Sequence, residues 1–477
     1  MMMLELDTIL SETESVCPEC LARVPAVRVA RGENVYLKKA CPTHGITQTI
    51  IWRGKPAFSS WVRAKRPSPP TRPATEVSRG CPFDCGLCPD HRIPSCCVLL
   101  EVTRRCDLSC SFCFASAGGA ASVAFELDMT TIEARLRALM DRTGGANLQL
   151  SGGEPCVRDD LPEIAALARD IGFTFIQVNS NGVRLGRDLD FARRLKSAGV
   201  STVFLQFDGT RDDIHERMRG RALQIHKERA IANCGEAGLG VVLVPVVVPG
   251  VNADHIGEIV TFGLAHQPIV RGVHFQPVSY FGRYPQAPTD ADRITLPEII
   301  AGLEAQTDGL VRIAHFQPAG AENALCSFNG NFVSMPDGSL RPLSQPKNAS
   351  ACCTPTGAPL SATLSGPIEL DLEPAGLAMA RARDFVAKAW SAPVESTSAS
   401  NGPSFGEWDV FLERMRTHQF CISGMAFQDA WTLDLDRLRD CHIHIAEDDG
   451  ACYPFCAYNL TDRHGNSLYR QQPVAVA

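Results

Sequence analysis

The sequence contains no long uncharged hydrophobic run, no basic N-terminal stretch and no excess of positive charge. The apolar stretch at 241–250 carries two prolines and is far shorter than the roughly 20 residues that cross a bilayer. The start, Met-Met-Met-Leu-Glu-Leu-Asp, lacks the features of a secretory signal, so we expect a cytoplasmic protein without a transmembrane segment. Peripheral membrane contact stays open. The net charge of −7 argues against a broad nucleic-acid-binding face.

Aromatic residues are also scarce, at 7%, whereas cysteine is abundant, with 20 among 477 residues. The chain otherwise has an ordinary globular composition, with 45% hydrophobic and 21% charged residues. Thiols stay reduced in the cytoplasm, so clustered cysteines there bind metal more often than they pair as disulfides. The spacing of the cysteines is therefore the main guide to function.

The chain divides into four segments by composition. Residues 1–64 hold two short cysteine-containing turns joined by a predicted β-hairpin, which we call the metal-knuckle segment. Residues 65–97 hold a proline-rich linker followed by a cysteine run. Residues 98–320 alternate predicted strands and helices, and residues 321–477 form a less regular C-terminal region.

The C-terminal region carries three local signals. The stretch from Ser391 to Ser404 has low complexity and predicts a mobile loop. The residues that follow Trp408 predict a helix. Asp449-Gly450 lies between two short apolar runs and favours a hairpin turn.

The segment 98–320 predicts an α/β fold. Six short apolar runs alternate with helical patterns, and these runs begin at Val98, Leu148, Phe175, Val203, Val241 and Val273. Strands that alternate with helices indicate parallel βαβ units, and right-handed crossovers curl such units into a full or partial barrel. In that architecture the chemistry gathers at the C-terminal ends of the strands.

Two cysteine runs share the spacing Cys-x3-Cys-x2-Cys. The first is Cys81, Cys85 and Cys88, and the second is Cys106, Cys110 and Cys113. Three thiolates on one tight loop can hold three irons of a [4Fe–4S] cluster and leave the fourth iron open to a small molecule. The second run directly follows the first predicted strand, whereas no strand precedes the first run. The second run is therefore the expected catalytic one.

The second run resembles the radical S-adenosylmethionine (SAM) enzymes, because Phe112 precedes its last cysteine and Gly-Gly-Glu-Pro follows the next predicted strand. The resemblance implies a partial (β/α)6 barrel and a SAM molecule that chelates the open iron. It also implies reductive cleavage of SAM to a 5′-deoxyadenosyl radical. The electron would come from a low-potential donor such as ferredoxin or flavodoxin.

The resemblance assigns SAM-binding roles to groups at the strand ends. Phe112 would pack near the adenine, and Gly152, Gly153 and Glu154 would receive the methionine amino group. The ribose and carboxylate of SAM would meet side chains after the third and fourth strands, which are Asn179, Ser180, Asn181, Gln206 and Asp208. The alternative for Asn-Ser-Asn-Gly at 179–182 is a plain turn.

The first run predicts an auxiliary cluster. Four thiolates make a closed cluster that transfers electrons without binding substrate. Cys96 and Cys97 are both available as the fourth ligand. We expect Cys96, because Cys97 immediately precedes a strand and can serve as a small core residue.

The metal-knuckle segment predicts a mononuclear site. Cys17-x2-Cys20 and Cys41-x2-His44 supply three thiolates and one imidazole, which suits a tetrahedral ion. Zinc is the default, and iron in a rubredoxin-like site is the alternative. So short a segment needs such a staple to fold.

A third group of cysteines lies near the C-terminus. Cluster ligands are expected from Cys441, Cys452 and Cys456, with Cys326 or Cys421 from elsewhere in the chain. His442 and His444 share one face of a predicted strand, where they either face a site or are simply packed. The cysteines interpreted as non-ligands are Cys156, Cys234, Cys352 and Cys353.

Four features together resemble the family of tetraether lipid synthase over nearly the full length. They are the knuckles and the motifs C-P-F-D-C-G-L-C-P-D-H, E-V-T-R-R-C-D-L-S-C and P-F-C-A-Y-N. That family includes methyltransferases of 7,8-dihydro-6-hydroxymethylpterin. The resemblance implies SAM, two or three [4Fe–4S] clusters and a mononuclear metal. It matches family cysteines to Cys96, Cys456, Cys326, Cys421 and Cys441. Cys452 falls where an apolar residue is expected.

We therefore expect a transferase-type radical enzyme that abstracts hydrogen from a substrate C–H and forms a carbon–carbon bond, by lipid chain coupling or by C-methylation. Lipid coupling predicts a long apolar channel, whereas pterin modification predicts a small polar pocket with stacking aromatics. The alternatives are a radical SAM maturase of a peptide or protein, and a non-catalytic Fe–S electron-transfer protein. The last would need neither Gly-Gly-Glu-Pro nor Phe112.

Overall fold

A computed structural model of the chain describes residues 7–118, 126–343, 374–393, 406–447 and 450–470. Two of the sequence interpretations lie outside these ranges: the assignment of Cys352 and Cys353 as non-ligands, and most of the predicted loop after Ser391. Within these ranges, every helix is too short or too polar to span a bilayer.

The N-terminal strands form a four-stranded antiparallel sheet in chain order. They are β1 (Thr8–Val16), β2 (Arg23–Arg31), β3 (Asn34–Cys41) and β4 (Gly45–Arg53). The β2–β3 hairpin joins the two cysteine-containing turns, which confirms the predicted knuckle arrangement. Trp52 of β4 packs 6.1 Å from the ring of Trp61 and joins this sheet to the main hydrophobic core.

Six parallel strands, one two-residue strand and the helices between them follow. The strands are β5 (Cys97–Thr103), β6 (Asn147–Gly152), β7 (Ile176–Ser180), β8 (Val200–Gln206), β9 (Gly240–Val244), β10 (Val246–Val247) and β11 (Val270–Pro277). The helices are α1 (Met129–Thr143), α2 (Leu161–Ile171), α3 (Leu189–Ser197), α4 (Asp212–Arg219), α5 (Gln224–Glu236) and α6 (Ile256–Ala265). All six predicted strands are present, and the α/β partial-barrel fold is confirmed.

The elements that follow β11 include two before residue 321, which are α7 (Leu296–Gln306) and β12 (Gln317–Pro318). The elements of the C-terminal region are β13 (Ser327–Ser334), β14 (Leu340–Pro342), α8 (Ala375–Trp390), α9 (Glu407–Thr417), β15 (Gln419–Met425), α10 (Leu435–Arg439), β16 (Ile443–Ala446), β17 (Cys452–Pro454) and α11 (Phe455–Tyr458). The helix predicted after Trp408 is α9, and β16 and β17 form the predicted antiparallel hairpin.

Two strands of the C-terminal region extend the parallel sheet on both sides. β15 pairs in parallel with β11, and β16 pairs in parallel with β5, so eight neighbouring strands run in one direction. β13 then pairs antiparallel with β15. The open side of the partial barrel lies between β13 and β16, where Asn323 Nδ2 donates to Asp440 Oδ2 at 2.9 Å. This side-chain hydrogen bond bridges the open side of the barrel.

Candidate active site and metal centres

The loop that carries Cys106, Cys110 and Cys113 leaves the C-terminal end of β5, as the sequence predicts. Cys113 and Arg283 exchange two backbone hydrogen bonds of 2.9 Å, and Arg283 Nε donates to Cys110 O at 2.9 Å. All three cysteines line one large cavity. Burial raises the pKa of Cys106 to about 12, so metal binding there must displace a proton. This loop fits a three-thiolate cluster, and the ligand roles stay a prediction.

The glycines of Gly-Gly-Glu-Pro pack against the start of the cysteine loop. Gly153 N donates to Thr103 O at 2.9 Å, and Glu154 N donates to Arg105 O at 2.8 Å. A Cβ atom would lie 2.1 Å from Thr103 O at Gly152 and 2.3 Å from Arg105 O at Gly153. Glycine is required because the end of β6 lies directly on the backbone that leads to the cluster loop.

The Glu154 carboxylate joins the end of β7 to the same loop. It accepts hydrogen bonds from Ser180 Oγ at 2.8 Å, Cys156 N at 3.0 Å and Asn181 N at 2.5 Å. Burial raises the pKa of Glu154, and these donors oppose the rise. Asn181 Nδ2 donates to Asp107 Oδ1 at 2.7 Å, inside the cysteine run. The carboxylate keeps a free lone pair for an ammonium group.

Asp208 does not line the cavity, which departs from its predicted contact with SAM. Its carboxylate is fully buried and accepts from Arg219 Nε at 2.6 Å and Arg219 NH2 at 2.7 Å. Arg219 lines the cavity instead, and it donates to Gln206 Oε1 at 2.9 Å in the amide orientation that satisfies both groups. Asp208 is separated from the cavity by Arg219, which the sequence analysis did not identify. The Arg219 guanidinium pairs with the Asp208 carboxylate and neutralises its charge.

Phe112 lies at the cavity wall, with its ring 6.1 Å from the ring of Tyr280 in an edge-to-face arrangement. The other predicted SAM contacts that line the same cavity are Gly152, Gly153, Glu154, Asn179, Ser180, Asn181 and Gln206. The structure therefore brings these groups together at the C-terminal ends of the strands. Their roles toward SAM stay a prediction.

The large cavity has a volume of about 500 Å³ and extends through the barrel to α8 at the other end. Its wall carries nine amide side chains, which are Asn147, Gln149, Gln177, Asn179, Asn181, Gln206, Gln276, Asn329 and Asn331. Closed (β/α)8 barrels, by comparison, fill their interior mainly with branched apolar residues. The amides therefore indicate a polar ligand. Their signal in the sequence is Asn or Gln at alternate positions of otherwise apolar strands.

Aromatic rings lie among these amides at the α8 end of the cavity. Trp390 stacks on Phe204 with ring centroids 5.4 Å apart and an interplanar angle of 29°. The His274 ring lies 5.5 Å from Phe204, and His274 Nδ1 is 2.9 Å from Ser423 Oγ. The cavity thus combines flat apolar surfaces with hydrogen-bonding groups, which suits a heteroaromatic ligand.

The first cysteine run surrounds a second, small cavity. Cys81, Cys85 and Cys88 line it, together with His91 and Arg439. Cys96 is not one of the described residues that line this cavity. The structure therefore brings the three cysteines of the run together without their predicted fourth partner.

Cys96 lines the large cavity instead and packs against Ile93 and Met379. Its backbone is held at the edge of the sheet, because Cys96 N donates to His442 O at 2.8 Å and Asn147 N donates to Cys96 O at 2.9 Å. The position just before β5 fixes this residue at the junction of β16, β5 and β6. That placement explains its separation from the run.

Three of the C-terminal candidates come together near the open side of the barrel. Burial raises the pKa of Cys441 and of Cys456, and neighbouring thiols, Cys326 among them, add to the rise. Arg437 Nε and NH2 each lie 3.5 Å from Cys326 Sγ, and Gln428 N donates to Cys456 Sγ at 3.2 Å. The group fits a second auxiliary site, and its ligand role stays a prediction.

Other cysteines are placed elsewhere. Cys421 lies in β15 and lines the large cavity, because alternate residues of that strand face inward. Cys452 lies in β17 within the main core. Cys156 and Cys234, interpreted as non-ligands, are buried in the same core.

His442 and His444 do not share a strand face. β16 begins at Ile443, so His442 lies before the strand, and it lines the large cavity. His444 is fully buried, with its ring 5.1 Å from the ring of His91. The prediction relied on alternate residues of a strand facing the same side. It is wrong here because His442 lies outside the strand.

The knuckle residues form a compact group. Ligand atoms of Cys17, Cys20, Cys41 and His44 all lie within 4.8 Å of one another. His44 Nδ1 is 3.6 Å from Cys17 Sγ and 3.5 Å from Cys41 Sγ. Tetrahedral zinc, with bonds of about 2.3 Å to sulfur and about 2.05 Å to nitrogen, separates such atoms by about 3.6 Å. The donor set therefore fits a single tetrahedral ion.

Two family models match parts of the chain. The Radical SAM superfamily model matches residues 100–263, and the HMPTM N-terminal zinc ribbon domain model matches residues 9–53. Among solved structures, the FeFe-hydrogenase maturase HydG from Carboxydothermus hydrogenoformans is similar with a TM-score of 0.35 at 13% identity. That similarity covers 46% of this chain and 52% of HydG.

Two of the curated proteins with significant sequence similarity to the chain show how far that similarity extends. The Fe-coproporphyrin III synthase of Methanosarcina barkeri is 32% identical over 39% of this chain and 45% of its own length. The 7,8-dihydro-6-hydroxymethylpterin dimethyltransferase of Methanocaldococcus jannaschii is 31% identical over 95% of this chain and 94% of its own length.

The fold and the matched superfamily define a radical SAM enzyme of the transferase type, which uses a [4Fe–4S] cluster and SAM. Because the similarity to the Methanocaldococcus jannaschii protein spans nearly both chains, this chain belongs to the family of 7,8-dihydro-6-hydroxymethylpterin dimethyltransferase.

Proposed function

We propose that the protein methylates a reduced pterin of the 7,8-dihydro-6-hydroxymethylpterin class by radical SAM chemistry. The amide-lined cavity carries the proposal, because its size and its stacked Phe204–Trp390 pair suit a small heteroaromatic molecule. The near full-length similarity to a pterin dimethyltransferase supports the same substrate class.

In this proposal Cys106, Cys110 and Cys113 hold the cluster, and the groups around Gly153 and Glu154 hold SAM. When bound, the cluster and one SAM would supply a 5′-deoxyadenosyl radical that takes a hydrogen atom from a C–H bond; the methyl group would come from a separate donor such as a second SAM, because the cleaved SAM leaves its methyl group on methionine. The chain itself orients the reactants: Glu154 and Asn181 fix the cysteine loop against β7. α8 closes the far end of the cavity and helps to exclude water.

We assign two further clusters to the remaining thiols. Cys81, Cys85 and Cys88 would hold one, and Cys326, Cys441 and Cys456 would hold the other. The small cavity that Cys81, Cys85 and Cys88 line supports the first assignment, and the burial of Cys441 near Cys326 and Cys456 supports the second. We assign zinc to the knuckles, and a low-potential ferredoxin or flavodoxin as the electron donor.

Lipid chain coupling, the other reaction considered, fits this cavity less well. An alkyl chain against the barrel wall would bury amides such as Gln149 and Gln177 away from water without giving them new hydrogen bonds. Burying an unpaired amide costs about 1–3 kcal/mol by protein mutational data. A pterin ring replaces those hydrogen bonds.

The test uses anaerobically reconstituted protein with dithionite, SAM and 7,8-dihydro-6-hydroxymethylpterin. We expect release of 5′-deoxyadenosine and a methylated pterin detected by mass spectrometry. Cys106→Ala should abolish both, whereas Cys234→Ala, which changes a core cysteine outside the site, should retain them. Release of 5′-deoxyadenosine with an ether lipid, and an unmodified pterin, would overturn the substrate assignment.

A further inference from the structure

The α8 half of the large cavity contains one carboxylate, Glu322. Among the described residues that line the cavity, the only other acidic one is Glu154, beside the cysteine loop. Glu322 is 7% exposed, and its Oε1 accepts from Ser327 Oγ. Its Oε2 lies 3.7 Å from His442 Nδ1. A carboxylate has about four lone-pair directions, so Glu322 retains acceptor capacity toward the cavity.

Among the described residues that line the cavity, the buried polar side-chain atoms without a hydrogen-bond partner are two acceptors. Gln177 Oε1 and Asn331 Oδ1 are buried without a hydrogen-bond partner, and both residues line the cavity. Gln177 Nε2 donates to Gln149 Oε1 at 2.7 Å, which leaves Gln177 Oε1 as the atom available to a ligand. Buried polar atoms are rarely left unpaired in folded proteins. This end of the cavity is therefore built for a ligand that donates hydrogen bonds.

The pyrimidine edge of a pterin is such a ligand. Its N3–H and its 2-amino group are adjacent donors in one plane, which match the two oxygens of a carboxylate. The stacked rings of Phe204 and Trp390 offer a flat surface beside the same space. A lipid chain or an aliphatic peptide side chain has no matching donors.

We propose that Glu322 is the specificity-determining residue that binds the 2-amino and N3–H edge of the pterin. The inference rests on the proposed function and extends it to a binding orientation. His442 O accepts from Cys96 N and Cys97 N at the start of β5, whereas Cys106 follows the end of that strand. Glu322 therefore lies at the opposite end of the barrel from the cluster loop. The pyrazine ring and its hydroxymethyl group face that loop.

The experiment compares two ligands on the reconstituted holoenzyme with SAM and no reductant. One is 7,8-dihydro-6-hydroxymethylpterin, and the other is the lumazine analogue, in which oxygen replaces the 2-amino group. Isothermal titration under anaerobic conditions gives the affinity of both for the wild type, for Glu322→Gln and for Glu163→Gln. Glu163 is exposed on α2, away from the cavity, and serves as the matched control.

The wild type and Glu163→Gln should bind the pterin at least about tenfold more tightly than the lumazine, because loss of one charge-assisted hydrogen bond costs about 1.5–3 kcal/mol. Glu322→Gln should bind the lumazine as tightly as the pterin or more tightly, since the new amide N–H donates to the 2-oxo group. Glu322→Asp keeps the charge and should keep the preference for pterin, with weaker binding of both ligands.

An unchanged pterin preference in Glu322→Gln, or an equal loss for both ligands, would overturn the inference and leave the proposed function standing. Methylation of the pterin by wild type would still be seen in that case. If Glu322→Gln fails to fold, Glu322→Asp serves as the test. Tighter binding of the lumazine than of the pterin by Glu322→Asp would also overturn the inference about Glu322. A wild type that binds neither ligand and methylates no pterin would overturn the proposed function itself.

Discussion

Single residues in the barrel interior differ in whether their charge is already paired. Asp208 and Arg219 are 0% and 2% exposed and form a two-point ion pair beneath the wall of the large cavity. Val246 N also donates to Asp208 Oδ1 at 3.1 Å. The pair holds Arg219 against Gln206 and the cavity, so its role is to position a cation there.

Asp208→Asn should destabilise the protein, because it leaves the Arg219 charge buried and uncompensated. Removing one partner of a buried ion pair costs about 3–5 kcal/mol. Denaturant unfolding of the reconstituted protein measures this loss. The control is Asp213→Asn, since Asp213 pairs with Arg211 in solvent and should change stability little. Equal stability of the two variants would contradict the proposed positioning role.

Gly153→Ala should damage the SAM site without removing any side chain that binds a ligand. The new Cβ would lie 2.3 Å from Arg105 O, so the loop that carries Cys106 must shift. Overpacking of this kind costs about 1–3 kcal/mol. We expect lower iron content and slower SAM cleavage. Gly376→Ala is the control, because its nearest contact is an ordinary 3.5 Å from Ser68 Oγ.

Among the elements, the knuckle sheet is fastened to the segment between β15 and α10. Lys39 of β3 is buried, and its Nζ donates to Ser15 Oγ at 3.0 Å, Val16 O at 3.0 Å and Ala430 O at 2.7 Å. Arg28 Nε donates to Asp434 Oδ2 at 2.8 Å. A metal at the knuckles would therefore stabilise the C-terminal region as well as its own sheet.

Cys17→Ala should remove the knuckle ion and lower the thermal midpoint of the whole chain. Structural zinc contributes directly to folding, because the ligands are brought together only in the folded segment. Metal analysis should show loss of zinc with iron retained. Cys234→Ala removes an equally buried thiol and should keep the zinc. Retained zinc in Cys17→Ala would contradict the assignment of this site.

At the scale of the whole molecule, the C-terminal region completes the barrel. The segment 426–442 joins β15 and β16, the outermost strands of the parallel part of the sheet, and Arg437 Nη2 donates to Ala426 O at 2.9 Å. Cys326 precedes β13, and Cys441 precedes β16, on either side of the open face. A cluster bound by these residues would cross-link the two sides of the barrel.

Cys456→Ala should lower the iron content by about four atoms per chain and reduce the stability of the barrel, because one cluster is lost from this seam. Three clusters would give the wild type about twelve irons, counted as three times four. Iron analysis after anaerobic reconstitution measures both values. Cys452→Ala, at a buried position in β17 outside the trio, should keep the wild-type content. Equal iron in both variants would contradict the third cluster.

The amino-acid sequence by itself determined the parallel strands of the barrel and the groups of ligands that lie close together along the chain. The alternation of apolar runs predicted the six parallel strands β5 to β9 and β11, because a buried strand needs such a run wherever it lies. The cysteine spacing placed the knuckle ligands and the loop after β5, since ligands within a few residues stay close in any fold. Gly-Gly-Glu-Pro likewise identified the neighbouring strand end.

Contacts between residues distant in sequence were decided only by the tertiary structure. Cys96 lies apart from its neighbouring cysteine run because β5, β6 and β16 fix its backbone. Cys326 lies near Cys456, and Glu322 lines the same cavity as the interior amides, because strands distant in sequence became neighbours. Spacing along the chain encodes local ligand sets. Packing of the whole barrel decides which distant groups share one cavity.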